Sequence, residues 1–571
     1  MGLVGLNFNQ LFAQSTQQIV ASKNTQEKTL VQLVKSTYLA GETIWFSLFV
    51  VNESSKQLSS LSKIVYAEII NEQGVAVMQQ KLQVNNGVAT GAWEIPDQLP
   101  SSTYVLRGYV ASEKLQPYNI DYKPLYVFNP AILPTGSAFG ERTSLDSQFQ
   151  SNKQVSIVDL DDLKALKVEG LQKAYKSRQK VKFTLSAPTI SSTVSVAVYR
   201  YDLFERNGSN VFDAVGVRPK FNLKNESTVQ AEQEYFGHQI VGHVVDRITG
   251  KPKEGVSVYC SVNGERFYFG SGRSDKAGFV RFDVGKPFGS QQVIVQLPDP
   301  KDSTAIVQIQ TPYLASTLSF AVDQFLLDQE SRKAIEESIQ YSNLQKAFKG
   351  SSSTFALPNF NDSLPFYGKP DKTYFLDDYT RFNTMEEVLR EYVVEVELRK
   401  QGQQYKFAVL DLPNKKSFEK NPLILIDGVP TKDINKVVAF DPLKVKRMDI
   451  VSRKFFLGDE SFDGIVSLIT YNGDLGGFEL DEQTLMVDYP GLPLTRQFDA
   501  VLFENKAAVE SRLPDLRSVL FWSPAQEVKK GRSTELSFFT SDWVGEYIIV
   551  VTGVGEKGLL VNKTFHFSVI N

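Results

Sequence analysis

Thr43-Ile44-Trp45-Phe46-Ser47-Leu48-Phe49-Val50 is a run of β-branched and aromatic side chains with Trp45 and Phe46 on opposite sides of a pleat, which reads as a strand with two usable faces. Gly41 just before it allows a tight hairpin. A second such run, Ile64-Val65-Tyr66-Ala67-Glu68-Ile69-Ile70, follows, and turn residues separate the runs about every 8 to 15 positions. From Thr29 to Val127 this pattern predicts a β-sandwich of about 100 residues.

Beyond it, Asn129-Pro130 and the polar stretch from Pro134 to Lys153 read as a linker. A second alternating block spans Leu166 to Tyr201, with Lys180-Val181-Lys182-Phe183-Thr184-Leu185 and Val194-Ser195-Val196-Ala197-Val198-Tyr199 as strands, before a polar segment from Arg206 to Gln233. A third begins at Gly237 with Ile240-Val241-Gly242-His243-Val244-Val245-Asp246. A helix is expected from Asp323 to Lys349, with Leu326, Leu327, Ile335, Ile339, Leu344, Ala347 and Phe348 as its apolar residues, a break near Asp328 and Gly350 as its stop. Thr384-Met385-Glu386-Glu387 is a capping box opening a shorter helix with Met385, Val388 and Leu389 on one face. The fold class expected is mainly β: tandem immunoglobulin-like β-sandwiches with an inserted α+β domain. Its parts are a leader-like segment 1–14, a first sandwich 15–130, a linker 131–153, a second sandwich 154–235, a third 236–318, a helical linker 319–362, an α+β domain 363–480 and a β-rich segment 481–571.

At 571 residues the chain exceeds one core, and a domain size of about 150 residues predicts about four units. Hydrophobic residues at 42% and charged residues at 22% describe a folded chain, and 39 Phe and 23 Tyr suffice to fill several sandwich cores. The 62 Lys and Arg against 65 Asp and Glu leave a net charge of -3 with no long basic run, which argues against a nucleic-acid partner. Cys260 is the single cysteine, so neither an intramolecular disulfide nor a Cys-based zinc cluster is expected, and its alternating neighbours make it a small buried strand residue. Met1 to Gln14 is apolar like the end of a signal peptide but lacks a basic first region, and is read as a clipped or mis-started secretory leader cleaved after Ala13. No stretch of 18 or more apolar residues occurs, so no membrane-spanning helix is expected.

Three segments, Tyr38-Leu39-Ala40-Gly41-Glu42-Thr43-Ile44-Trp45-Phe46, Leu61-Ser62-Lys63-Ile64-Val65-Tyr66-Ala67-Glu68 and Ser102-Thr103-Tyr104-Val105-Leu106-Arg107-Gly108-Tyr109, resemble the second macroglobulin domain (MG2) of bacterial envelope proteins. The third block, with Gly242 to Asp246, Thr249-Gly250-Lys251-Pro252, Gly255-Val256-Ser257-Val258 and Ser274-Asp275-Lys276-Ala277-Gly278-Phe279, is similar to a carboxypeptidase regulatory-type domain, an accessory sandwich that implies no peptidase activity. Leu423-Ile424-Leu425-Ile426-Asp427-Gly428-Val429-Pro430, Asp441 to Val451 and Gly464 to Thr470 resemble the plug domain of TonB-dependent outer-membrane receptors. A receptor barrel of about 22 strands needs over ~220 residues and only about 100 follow Thr470, so a plug-like module without its barrel is expected. Pro514 to Pro524 and Phe538 to Asp542 resemble the terminal part of the same architecture. The resemblance implies an exported, non-enzymatic protein of the Gram-negative envelope, in the periplasm, at the outer membrane or on the cell surface. Its expected role is a scaffold or accessory subunit binding an outer-membrane protein complex, with the plug-like module carrying the contact. The alternative is a carbohydrate- or peptide-binding envelope module.

Catalytic, cofactor-binding and metal-binding residues are all expected to be absent. His238 and His243, five positions apart, fall on opposite faces of a strand or about 140° apart on a helix, and share no metal in either case. His566 sits in the alternating run Thr564 to Val569, and no Gly-x-Ser-x-Gly elbow supports a Ser-His-Asp triad. Asp459-Glu460-Ser461-Phe462-Asp463-Gly464 has the alternating oxygens of a calcium loop, but Thr470 stands where the bidentate glutamate belongs, and a turn before a strand is the simpler reading. Asp159, Asp161 and Asp162 read as a solvated turn. Gly473-Asp474-Leu475-Gly476-Gly477 lacks the lysine and helix of a phosphate loop. Protease-trapping macroglobulins depend on a Gly-Cys-Gly-Glu-Gln thioester, and Cys260 stands in an unrelated context, so covalent trapping is not expected.

Overall fold

The pairing of Thr43–Asn52 with Glu27–Leu33 on one side and Val88–Glu94 on the other makes the first of two facing sheets. The second runs in the order Thr37–Leu39, Asp121–Phe128, Ser102–Tyr109, Ile64–Ile70, Ala76–Gln83. Phe46, Leu48 and Val50 point between the sheets, where Phe46 stacks on Trp93 at 4.6 Å, while Trp45 points out of the other face, as the alternation of a pleat requires. The computed structural model describes residues 26–112, 119–132, 139–141, 166–202, 205, 233–263, 267–299, 304–314, 325–327, 329–349, 354–356, 364–481, 483–558 and 560–571. The leader-like segment 1–14, most of the linker 131–153, Asp159, Asp161, Asp162, Asp328, Gly350 and the polar segment up to 232 lie outside them. The chain is mainly β, with 51% strand and 11% helix.

Two compact units are present, one of Met1–Tyr235, Tyr313–Leu357 and Leu494–Asn571, the other of Phe236–Pro312 and Pro358–Pro493. In the first unit, the second sandwich is assembled from both ends of a long insertion. Ser192–Arg200 lies between Val519–Val528 and Gly545–Gly555, and Lys180–Ser186 pairs with Ser533–Phe539. The strands of 166–202 and those near the C-terminus, separate segments in the sequence reading, therefore share the single core of Val181, Phe183, Val196, Ile549, Val551 and Phe567. The two sandwiches of this unit meet at Val34, Trp45, Ala197, Tyr199, Trp522 and Ile548.

The helix of the first unit runs over Gln329–Lys349 rather than from Asp323, and Phe325–Leu327 is a short strand. Ile335 is buried, but Leu344, Ala347 and Phe348 are exposed. The helix docks through polar and aromatic groups, with Tyr341 edge-on to Trp543 at 4.7 Å and Glu337 accepting from Trp543 Nε1 at 3.2 Å, so its apolar periodicity misreports its buried side.

In the second unit, Phe279–Gly285, His238–Asp246 and Ala305–Ile309 face a sheet ordered Tyr268–Arg273, Ser257–Val262, Ser290–Gln296, Leu485–Pro490. An α/β module intervenes in the sequence before the last of these strands. That module has a five-stranded sheet in the order Lys372–Phe375, Val445–Leu457, Glu460–Thr470, Leu423–Ile426, Val429–Thr431. Leu423–Ile426 runs parallel to Glu460–Thr470 with Leu423 opposite Ile465. All four residues of Leu423–Ile426 are buried, because Ile424 and Ile426 face the helix-covered core while Leu423 and Leu425 face Tyr259 and Phe269 of the third sandwich. Asp427 (φ 47°) and Gly428 (φ 82°) form the turn into Val429–Thr431. The capping box of Thr384 and Glu387 starts Met385–Glu391, with Met385, Val388 and Leu389 buried. Among the described residues no helix is long and apolar enough to cross a membrane.

Candidate functional site

The residues with chemical potential in the sequence are dispersed. His238 is buried in its strand with Nε2 2.6 Å from the Tyr489 hydroxyl, whereas His243 is half-buried, stacks on Phe279 at 4.6 Å and lies 3.1 Å from the Ala277 carbonyl. His566 is exposed on the C-terminal strand, 5.2 Å from the Tyr201 ring. The Cys260 thiol is fully buried, and burial pushes its pKa up to about 12, so it is no nucleophile at neutral pH. Asp459 to Gly464 forms a hairpin turn and the start of a strand: Glu460 accepts from the Tyr259 hydroxyl at 2.6 Å, and Asp463 faces Lys454 at 3.8 Å. An extended strand points these carboxylates to alternate sides, where they cannot surround one ion. Among the described residues no group of three or more His, Cys, Asp or Glu side chains is placed to hold a metal.

Several buried polar groups carry no recognisable sequence motif. Asp427, in the turn before Val429–Thr431, also accepts from Thr470 N at 2.8 Å, Thr470 Oγ1 at 2.6 Å and Leu475 N at 2.8 Å, stapling two strand ends. Glu205 accepts from the backbone N–H groups of Ser36 and Thr37, both at 2.8 Å, and from both their hydroxyls, while burial holds its pKa above the usual carboxylate value. Glu68 and Arg107 form a fully buried ion pair at 2.6 Å, and the Tyr109 hydroxyl donates to the same carboxylate. These are clamps, each satisfied by partners distant in sequence.

The feature open to solvent that brings most chemistry together is a cleft of about 270 Å³ in the first unit. Five pieces of chain line it: the 35–45 hairpin, the helix Gln329–Lys349, the stretch 496–499, the start of Val519–Val528 with its preceding residues, and Trp543 just before Gly545–Gly555. Its aromatic wall is Trp45, Phe498 and Trp543. Trp45 meets Phe498 edge-on at 5.5 Å and Trp522 at 5.1 Å, and the Arg496 guanidinium lies 5.6 Å from its ring centre. Trp543 carries Arg200 over its ring at 4.2 Å. Gln345 on the helix accepts from Leu516 N at 2.7 Å, which fixes the helix against the far wall.

Four cations border the cleft, and they differ in how they are neutralised. Lys35 is paired with Glu42 at 2.7 Å, and Arg517 is buried against Asp515 at 2.7 Å. Among the described residues Arg496 reaches only the exposed Glu94, at 3.8 Å. Lys346 has no carboxylate within 4 Å among the described residues. Its ammonium rests on Gly41, where a Cβ would lie 2.1 Å from Nζ, and whose φ of +79° independently favours glycine. Trp45 and Gly41 were visible in the sequence as strand and turn residues; Lys346 and Arg496 were not, since nothing local distinguishes them from other surface cations.

No known family and no curated protein matches this sequence. Among solved structures, 96% of the chain aligns with 40% of the native conformation of Escherichia coli alpha-2-macroglobulin at 9% identity, with a TM-score of 0.24. For Salmonella alpha-2-macroglobulin reacted with methylamine, 95% of the chain aligns with 46% of that protein at 10% identity, with a TM-score of 0.16. The chain thus spans less than half the length of these structures.

Proposed function

We propose that this chain is a non-enzymatic, exported protein of the Gram-negative envelope that acts as a scaffold or accessory subunit and binds a protein complex of the outer membrane. The observation that carries the docking role is the cleft of the first unit, where two sandwiches, a helix and the 496–499 stretch converge on Trp45, Phe498, Arg496 and Lys346. Trp and Arg beside a concave, partly desolvated surface are the composition of protein-contact hot spots. The envelope location rests on the MG2-like and plug-like sequence segments.

The plug-like module is the competing seat of the contact. A pull-down from solubilised envelopes separates the two, using the whole chain, a chain lacking 364–481, and a chain with both Lys346→Glu and Arg496→Glu. Recovery of a defined outer-membrane partner that survives the deletion and fails with the charge reversals is the expected result. The reverse pattern moves the interface to the plug-like module, and the absence of any specific partner, or a purely cytoplasmic location on fractionation, ends the docking reading. A carbohydrate- or peptide-binding envelope module is the second reading, for whose peptide form the same cleft offers a site, and is addressed by direct ligand titration.

A further inference from the structure

We infer that the cleft bordered by Lys346 and Arg496 receives a short acidic peptide segment carrying a bulky apolar side chain next to its carboxylate. This rests on the docking reading and specifies what the partner presents. The charge argument comes from the two cations that are least closely paired. Lys35 and Arg517 are engaged by Glu42 and Asp515, whereas Lys346 makes no ion pair within 4 Å among the described residues, Asp97 bordering the same Gly41 without closing on it, and the Arg496–Glu94 contact is long, with the Glu94 side chain 68% exposed. An exposed pair at 3.8 Å contributes little, so Arg496 is available to a better-placed anion. Asp499, exposed on the rim, is the lining carboxylate without an ion pair among the described residues and sets a penalty on ligands that crowd that side.

The positions of both cations are prepared. Gly41 leaves the space that the Lys346 ammonium fills, and the Trp45 ring supports the guanidinium of Arg496. A charge held in place before binding loses less freedom when it binds. The apolar requirement follows from Phe498, which is half-buried and edge-on to Trp45, leaving part of its ring on the cleft surface. A sugar ring needs an open aromatic face to lie against, and Trp45 is covered by Trp522, Phe498 and Arg496. Hydrogen-bonding groups for a peptide backbone are supplied by Ser342, Gln345 and Gln497. At about 270 Å³ the cleft falls just below small-molecule pockets of about 300–1,000 Å³, a size for a few residues of extended chain rather than a whole domain.

The test uses the intact chain and three defined probes: an acetylated, amidated Glu-Phe-Glu peptide, its Gln-Phe-Gln counterpart, and the neutral disaccharide cellobiose. Binding is followed by calorimetry and by tryptophan fluorescence. Saturable binding of the acidic peptide is expected, weakened about tenfold or more by the Lys346→Glu, Arg496→Glu double variant and by about 0.5 M salt, with far-UV circular dichroism confirming that the variant is folded. Equal binding of the glutamine peptide, no saturable binding of the acidic one, or an undiminished affinity in the variant overturns the inference. Binding of cellobiose alone replaces the peptide by a carbohydrate. Failure here with an envelope partner still recovered by the whole chain leaves the docking reading standing, whereas no partner recovered at all removes that reading whatever the peptides do.

Discussion

Lys81 shows how a single side chain is governed by surroundings that its own neighbours in the sequence do not reveal. It lies on Ala76–Gln83 opposite Tyr66, is 1% exposed, and burial drives its pKa down to about 7, with nearby Glu234 pulling it back up. Between about pH 7 and its ordinary value of 10.5 the unfolded chain holds this proton and the folded chain does not, so stability rises with pH across that window. Below about pH 7 both states are protonated and the full cost of burying the charge is present, on the order of 5 kcal/mol. Lys81→Met, similar in length and uncharged, is therefore expected to be more stable at about pH 6, with the advantage shrinking toward pH 10. Urea unfolding midpoints of both proteins across this range check it. A variant less stable at pH 6 with an unchanged slope would show that the amine's contacts outweigh its desolvation.

At the scale of elements, the α/β module was legible because its signals are local. A capping box, a four-residue apolar run and an Asp-Gly turn each specify their own conformation within a few residues, and Thr384, Leu423–Ile426 and Asp427–Gly428 all appear as such. Ile426 is 1% exposed in the core shared with Val466 and Leu468, so Ile426→Asp buries a carboxylate without a partner and is expected to cost several kcal/mol. His243→Gln, on a half-buried site, is expected to cost under about 1 kcal/mol. Thermal unfolding of the two variants gives the comparison, and near-equal losses would contradict the buried placement of the strand. The helix Gln329–Lys349 was less legible, since tertiary partners of Glu337, Ser338, Tyr341 and Gln345 decide which side is covered.

For the whole molecule the decisive property is nesting. Strands in 166–202 close with strands in 519–570 to form one sandwich, the third sandwich in 238–309 closes with Leu485–Pro490, and the α/β module occupies the sequence between. Pairings such as Ser192 with Val528 close very long loops, which slows folding because the entropy is lost before the contacts form. A chain ending at Pro514 lacks Val519–Val528, Ser533–Phe539, Gly545–Gly555 and Leu560–Ile570, half of the strands of the second sandwich. Limited proteolysis is expected to cut such a chain within 166–202 while sparing the α/β module. Full protection of 166–202 would show that those strands form a core without the C-terminal ones.

The class of the protein was legible without coordinates: strand periodicity, turn residues and a single cysteine in an alternating run imply tandem β-sandwiches with a distinct α/β insertion, because these signals act over a few residues and need no distant partner. Which strands share a sheet emerged from the folded chain, because edge strands of similar composition can pair with many partners and register is selected by the assembled core. The folded chain also decided the cleft. Gly41, Lys346 and the 496–498 segment lie far apart in the chain, and no local pattern marks two surface cations as neighbours of Trp45 until the helix and the C-terminal strands have closed around it.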